Sequence, residues 1–133
     1  MQTILEKDQY NLLWRSSWCS FASAVYGTYH QQYDISIAEF AVFLSSINFW
    51  RYPLNDWRKY LDILVVQCAL YVHLLRAYNT QYSIQYYSIM FVAFLCYGVG
   101  EYFYRKKQYE LSTSSHMMLH ILANLANIVL YSG

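Results

Sequence analysis

Charge is the scarcest thing in this sequence. Asp, Glu, Lys and Arg make up 13% of 133 residues, against roughly 25% in soluble domains. A soluble globule of this size would leave large apolar patches on its surface, which excludes an ordinary cytosolic enzyme domain. Nine basic against eight acidic residues leave a net charge of +1, too little for the basic field that gathers nucleic acid. One proline and four glycines exclude a disordered or linker-rich chain. The cysteines, Cys19, Cys68 and Cys96, show no C-x-x-C spacing and each sits in an apolar stretch, so they read as packing residues and not a disulfide framework. There is no N-x-S/T sequon, and the first ten residues, with Glu6, Lys7 and Asp8, lack the basic region of a cleaved signal peptide.

What is present is apolar and aromatic. Hydrophobic types reach 57%, and 16 of the residues are tyrosine. Mean hydropathy is only +0.13, but tyrosine scores as polar while behaving as an interface residue in bilayers. Five apolar segments alternate with short polar breaks, at about 12–29, 35–50, 59–77, 82–104 and 113–131. They predict an all-α fold: one polytopic membrane bundle over residues 1–133 with about five short transmembrane helices. The stretch from Tyr82 to Gly100 is free of charge, whereas the others each carry one to three ionisable groups.

The basic residues give the orientation. Five crossings put Lys7, Arg15, Arg51, Arg58, Lys59, Arg105, Lys106 and Lys107 at one surface and Arg76 alone at the other. Positive residues in short loops stay cytoplasmic, so the N-terminus is expected in the cytoplasm and the C-terminus in the lumen. Trp14, Trp50 and Trp57 fall near span ends, as an aromatic belt requires. Arg51, Trp57, Arg58 and Lys59 around Pro53, with Arg105, Lys106 and Lys107 in the other loop, form an expected partner-binding face. The helices at 59–77 and 82–104 share a short link, so they are expected to be antiparallel neighbours that bring these loops side by side.

Inside the spans, His116, His120, Asn124 and Asn127 share one helical sector. In the five-span topology Arg15, Asp62, Glu101, His116 and His120 lie at similar depth near the cytoplasmic ends, where they are expected to pair as a structural polar cluster. Glu39, His73, Arg76 and Asn127 form a thinner second level. The first span carries Ser16, Ser20, Ser23, Ala24 and Gly27 at spacings that admit a close helix neighbour; a nucleophilic serine there would need a base, and none is local. No phosphate-binding fingerprint is present, since Gly98 and Gly100 make only a G-x-G.

Two resemblances follow from these residues. The pair His116-x-x-x-His120 with Asp62 resembles the metal-binding elements of ceramidase- and adiponectin-receptor-type membrane hydrolases, which implies a three-ligand zinc site as the alternative reading. The early histidine of those proteins is missing, and they have about seven spans. The string from Trp50-Arg-x-Pro through Trp57-Arg-x-x-x-Asp62 and the ending from His116 to Gly133 resemble small multi-pass proteins of large DNA viruses of algae and protists. That resemblance, over residues 45–133, implies a virion inner-membrane or minor capsid component docking membrane to shell. The resulting expectation is a non-enzymatic structural protein with no cofactor and no resident metal. Its partners would be the bilayer and capsid or other membrane proteins, with neither nucleic acid nor a small-molecule substrate.

Overall fold

The computed structural model describes residues 2–133. It is all-helical, with no strand among the described residues. The helices are α1 (Lys7–Ser16), α2 (Trp18–Tyr29), α3 (Tyr33–Trp50), α4 (Trp57–Ala77), α5 (Ser83–Arg105) and α6 (Tyr109–Tyr131). The five apolar segments are all helical, and the first is divided. Ser16 and Ser17 both turn their hydroxyls back to the Leu13 carbonyl, at 3.1 and 2.8 Å, and such side-chain bonds compete with the helical ladder. The chain breaks at Ser17 for that reason, and residues Lys7–Asn11 extend the first segment outward.

Local signals set the other boundaries. Glu6 and Gln9 make a reciprocal capping box ahead of α1, and Asp56 caps α4 by accepting from the Arg58 amide at 3.1 Å, each satisfying a donor with no helical partner. α2 and α5 end in Schellman motifs. Gln32 N donates to Gly27 O and Gln108 N to Phe103 O, both at 2.9 Å, with Gln31 and Lys107 bonded back to Thr28 and Tyr104. Gln31 and Lys107 take φ of 61°, a left-handed conformation usually filled by glycine.

Packing order around the bundle runs α4, α3, α1–α2, α6, α5, with α5 and α6 the closest pair. α4 and α5 touch only lightly, through contacts such as the Tyr87 hydroxyl on Leu74 O near their link. The expected side-by-side contact of the two basic loops is therefore corrected. The N-terminal segment lies between them: Ile4 N donates to Pro53 O at 3.0 Å, and the Tyr104 hydroxyl donates to Ile4 O at 3.3 Å.

Two cores hold the bundle, one at each end. At the Tyr131 end Ile35, Ala77, Tyr86, Met90, Ala93, Ala126, Leu130 and Tyr131 pack together. At the Pro53 end Leu5, Tyr10, Leu13, Phe49 and Trp50 do so. Between and outside them the polarity is inverted. α4 buries only Asp62, Ala69, His73 and Ala77, a polar or small stripe, while Leu61, Leu64, Val66, Tyr71 and Leu75 are exposed. α5 likewise exposes Phe91, Val92, Phe94, Leu95, Tyr97 and Val99. The accessible surface is 8105 Å², against about 7,400 Å² for a globular protein of 15.9 kDa.

Candidate functional site

The inward stripe of α6 organises the polar interior, and it divides into two levels. Toward the Tyr131 end, α3 supplies Glu39, α4 His73 and α6 Asn127 and Tyr131. Glu39 is 5% and His73 2% exposed. Asn127 Nδ2 donates to Glu39 Oε2 at 3.1 Å, and His73 Nε2 lies 3.8 Å from the same oxygen. His73 Nδ1 bonds the Ala69 carbonyl at 2.7 Å, which can only accept. In the neutral ring Nδ1 therefore carries the proton and Nε2 accepts from the Tyr131 hydroxyl at 2.6 Å. Gln32 Nε2 donates to the Tyr131 carbonyl at 2.7 Å, fixing the end of α6. Of the three buried polar atoms without a partner among the described residues, Tyr86 OH and Asn127 Oδ1 belong to this end, the third being Thr113 Oγ1.

Arg76 does not join this level. It pairs with Asp34 at the surface, so no cation faces Glu39 among the described ion pairs. Both ring nitrogens of His73 are taken, by the Ala69 carbonyl and the Tyr131 hydroxyl, so the hydrogen bond to the Glu39 carboxyl comes from Asn127.

The expected cluster of Arg15, Asp62, Glu101, His116 and His120 is dispersed. Asp62 lies against α3, where the Ser45 and Ser46 hydroxyls both donate to Oδ1 at 2.9 Å. Arg15 and Glu101 are exposed, and among the described residues no ion pair joins either to Asp62. The helical periods explain this: Arg15 and Glu101 sit on the outer faces of α1 and α5, and sequence depth alone carries no information about azimuth.

His116 and His120 do pack together, ring centroids 4.8 Å apart, with His116 against Trp50. His120 Nδ1 shares a 2.6 Å hydrogen bond with Ser16 Oγ. Further along the stripe Asn124 Oδ1 accepts from Ser23 at 2.7 Å, and Asn124 Nδ2 donates to Ser20 Oγ at 3.4 Å. Asp62 is not part of this group, and no set of three metal-ligating side chains occurs among the described residues. The residues present do not fit the three-ligand zinc site of Asp62, His116 and His120.

At the Pro53 end the candidate partner face is divided by chemistry. Trp57 is 67% exposed, and Arg51, Arg105, Lys106 and Lys107 are also exposed. Lys59 bonds Asn55 Oδ1 at 3.4 Å. Arg58 is committed to the fold: it pairs with Asp56 at 3.3 Å and donates to the Asn48 and Tyr52 carbonyls at 3.4 and 2.8 Å. It stitches the 51–56 loop and is removed from the docking set.

Sequence reasoning missed the imidazole beside Ser16, because His120 is 104 positions away. It also missed Tyr131, which a longer look at the α6 stripe would have found, four positions beyond Asn127. Comparison of the chain with protein-family models, curated sequences and solved structures finds no match.

Proposed function

We propose that this chain is a multi-pass integral membrane protein with a structural, non-enzymatic role, crossing the bilayer with residues 12–29, 35–50, 59–77, 82–104 and 113–131. One observation carries the reading. α4 and α5 are long and apolar enough to cross a membrane, yet only 17% and 22% of their apolar windows is buried inside the fold. A core helix of a soluble protein would be mostly buried; here the outer faces are apolar and Glu39, Asp62 and His73 point inward, the polarity that a hydrocarbon solvent imposes.

The N-terminus is then cytoplasmic and the C-terminus lumenal, from the sorting of Lys and Arg. Trp57, Lys59, Arg105, Lys106 and Lys107, with Arg51, form a cytoplasmic rim that holds anionic headgroups and an overlying protein layer. By the viral resemblance of residues 45–133, that layer is the shell of a virion with an internal membrane. Alkaline carbonate washing should leave the protein in the membrane pellet, and a single cysteine placed at 55 should be labelled from the cytoplasm and one at 132 from the lumen. Release into the supernatant would end the membrane reading, and labelling of both positions from one side would end the five-crossing topology.

Hydrolysis is the second reading, favoured by the Ser16–His120 contact at 2.6 Å. Neither His116 nor His120 has a carboxylate partner among the described ion pairs, so the pair lacks the group that orients an activating base. Covalent labelling by a fluorophosphonate, lost in Ser16→Ala, would establish this reading against the structural one.

A further inference from the structure

The seam between the α1–α2 segment and α3 is open along its outer side. At the Pro53 end it forms a groove of about 650 Å³ lined by Asn11, Trp14, Leu44, Ile47, Asn48 and Arg51. At the opposite end a second groove, of about 510 Å³, lies between Phe21, Val25, Ile37 and Phe40. The α3 residues 37, 40, 44, 47 and 51 are spaced at three and four, so both grooves open on one face of α3, against α1 at one end and α2 at the other. Aromatic contacts floor the stretch between them. Trp14 meets Trp18 at 5.8 Å, Trp18 meets Phe43 at 4.8 Å and Phe21 meets Phe40 at 6.3 Å between ring centroids.

The seam changes chemistry along its length in one direction. Its mouth holds two amides and a guanidinium; Arg51 is exposed and uses only Nε within the fold, on Asn48 O at 3.3 Å, leaving its terminal N–H groups free for a planar anion. Below that the walls are apolar and exposed, with Leu44 49% and Ile37 69% accessible. From Arg51 to Ile37 the helix runs roughly 21 Å, more than the about 15 Å of one hydrocarbon leaflet.

We infer that this seam is a binding site for one anionic glycerophospholipid, its phosphate held by Arg51, Asn48 and Asn11 and an acyl chain laid along Trp14, Leu44 and Ile37. The inference rests on the membrane reading above and refines it, since it takes Arg51 out of the shell-docking set and gives it to a lipid. A polar, basic head and an apolar tail of leaflet length are the two features the seam offers, in the order a lipid of the cytoplasmic leaflet presents them.

The test is native mass spectrometry of the full chain, stripped of lipid in detergent and titrated with phosphatidylglycerol or phosphatidylcholine of the same acyl length. One phosphatidylglycerol should be retained under activation that removes phosphatidylcholine. Arg51→Gln should lower that retention about tenfold, the loss of one charge-assisted contact, and Leu44→Trp should lower it by filling the tail channel. Arg105→Gln, in the same basic rim but outside the seam, should lower retention far less than Arg51→Gln does. Equal retention of the two lipids, or equal loss in Arg51→Gln and Arg105→Gln, would overturn the site in favour of diffuse attraction. Saturable binding of glycerol phosphate without a tail would overturn the lipid assignment. Carbonate washing of the source membranes, before detergent is added, tests the membrane reading separately: a protein that stays in the pellet there but retains no lipid in the titration refutes the site alone.

Discussion

Gly27 tests the packing of the Tyr131 end most sharply. A Cβ at this position of α2 would meet Tyr131 Cδ2 and Cε2 at 3.1 Å each and Ser36 Cβ at 3.3 Å, against a carbon–carbon optimum of about 3.5–4.0 Å. The Tyr131 ring would have to retreat by several tenths of an ångström. It has little freedom to do so, because its hydroxyl is tied to His73 Nε2 at 2.6 Å and its carbonyl to Gln32. Ser36 is held equally, by Thr28 Oγ1 at 2.5 Å and the Ala24 carbonyl at 2.6 Å. Gly27→Ala should therefore cost about 1–3 kcal/mol as overpacking, offset in part by up to about 1 kcal/mol of helix propensity.

Gly98 supplies the control. It lies in α5 with nothing within 4 Å of an added Cβ, so Gly98→Ala carries the propensity gain and no clash. The difference between the two variants isolates the packing cost, about 1–3 kcal/mol against Gly27→Ala. Equilibrium unfolding of the purified protein in mixed detergent and dodecyl sulfate micelles, followed by helical circular dichroism, measures both. Tyr131→Phe frees the ring from His73, so the cost of Gly27→Ala should fall in that background, a coupling of the kind shared contacts produce. Equal stability of Gly27→Ala and Gly98→Ala would refute the close approach of α2 to α6.

Other consequences are as direct. Asp62→Asn keeps an acceptor for Ser45 and Ser46 and should be tolerated, whereas Asp62→Leu should cost about 1–3 kcal/mol in the same unfolding assay by leaving the buried Ser46 hydroxyl without one, Ser45 falling back on the Val42 carbonyl at 3.1 Å; Arg15→Gln should be strictly additive with either. Gln31→Gly and Lys107→Gly, at the two left-handed positions, should each stabilise by up to about 1 kcal/mol in thermal melts. Burial pushes the Asp34 carboxyl up, but the hydrogen bond and charge of Arg76 outweigh it and hold the group below its ordinary value. The pair's contribution is thus present above about pH 4 and lost as pH falls through the lowered value; at an exposed site it is worth at most about 1 kcal/mol, so Asp34→Asn should differ from the parent near pH 6 and converge with it in acid or high salt. Trp57→Ala should leave the melting temperature unchanged while weakening co-sedimentation with the overlying layer, and Arg58→Ala should lower the melting temperature by opening the 51–56 loop.

The helices were legible because each signal is local. Asp56 before Trp57 and the polar breaks at 30–34 and 105–110 mark ends within one turn of where they occur. Two features escaped because they depend on the absence of a usual signal. The Schellman turns use Gln31 and Lys107 where a glycine would have announced them, and the break at Ser17 follows from two serine rotamers that no periodicity encodes. Neighbourhood was less legible than position: a short link made α4 and α5 look like closely packed partners, whereas α4 packs on α3 and leaves α5 to α6.

The polar interior shows why depth alone misassigned the site. Residues at one depth can meet only if their helices turn them to the same side, and an apolar solvent rewards partners that are already nearby over charges that must travel. Asp62 has two hydroxyls on the consecutive residues Ser45 and Ser46 of the adjoining α3, and Ser16 and Ser20 lie on the face of α1–α2 that α6 covers. Small serines at helix contacts thus satisfy the carboxylate, imidazole and amide groups without any ion pair, at the modest gain per bond expected of interhelical contacts in lipid. Arg15 and Glu101, long enough to reach the surface from near the span ends, are left free to reach water or headgroups instead. The second level assembled because the α6 stripe ran unbroken through Asn127 to Tyr131, so azimuth and depth agreed there with the buried carboxyl of α3, Glu39, and the single imidazole of α4.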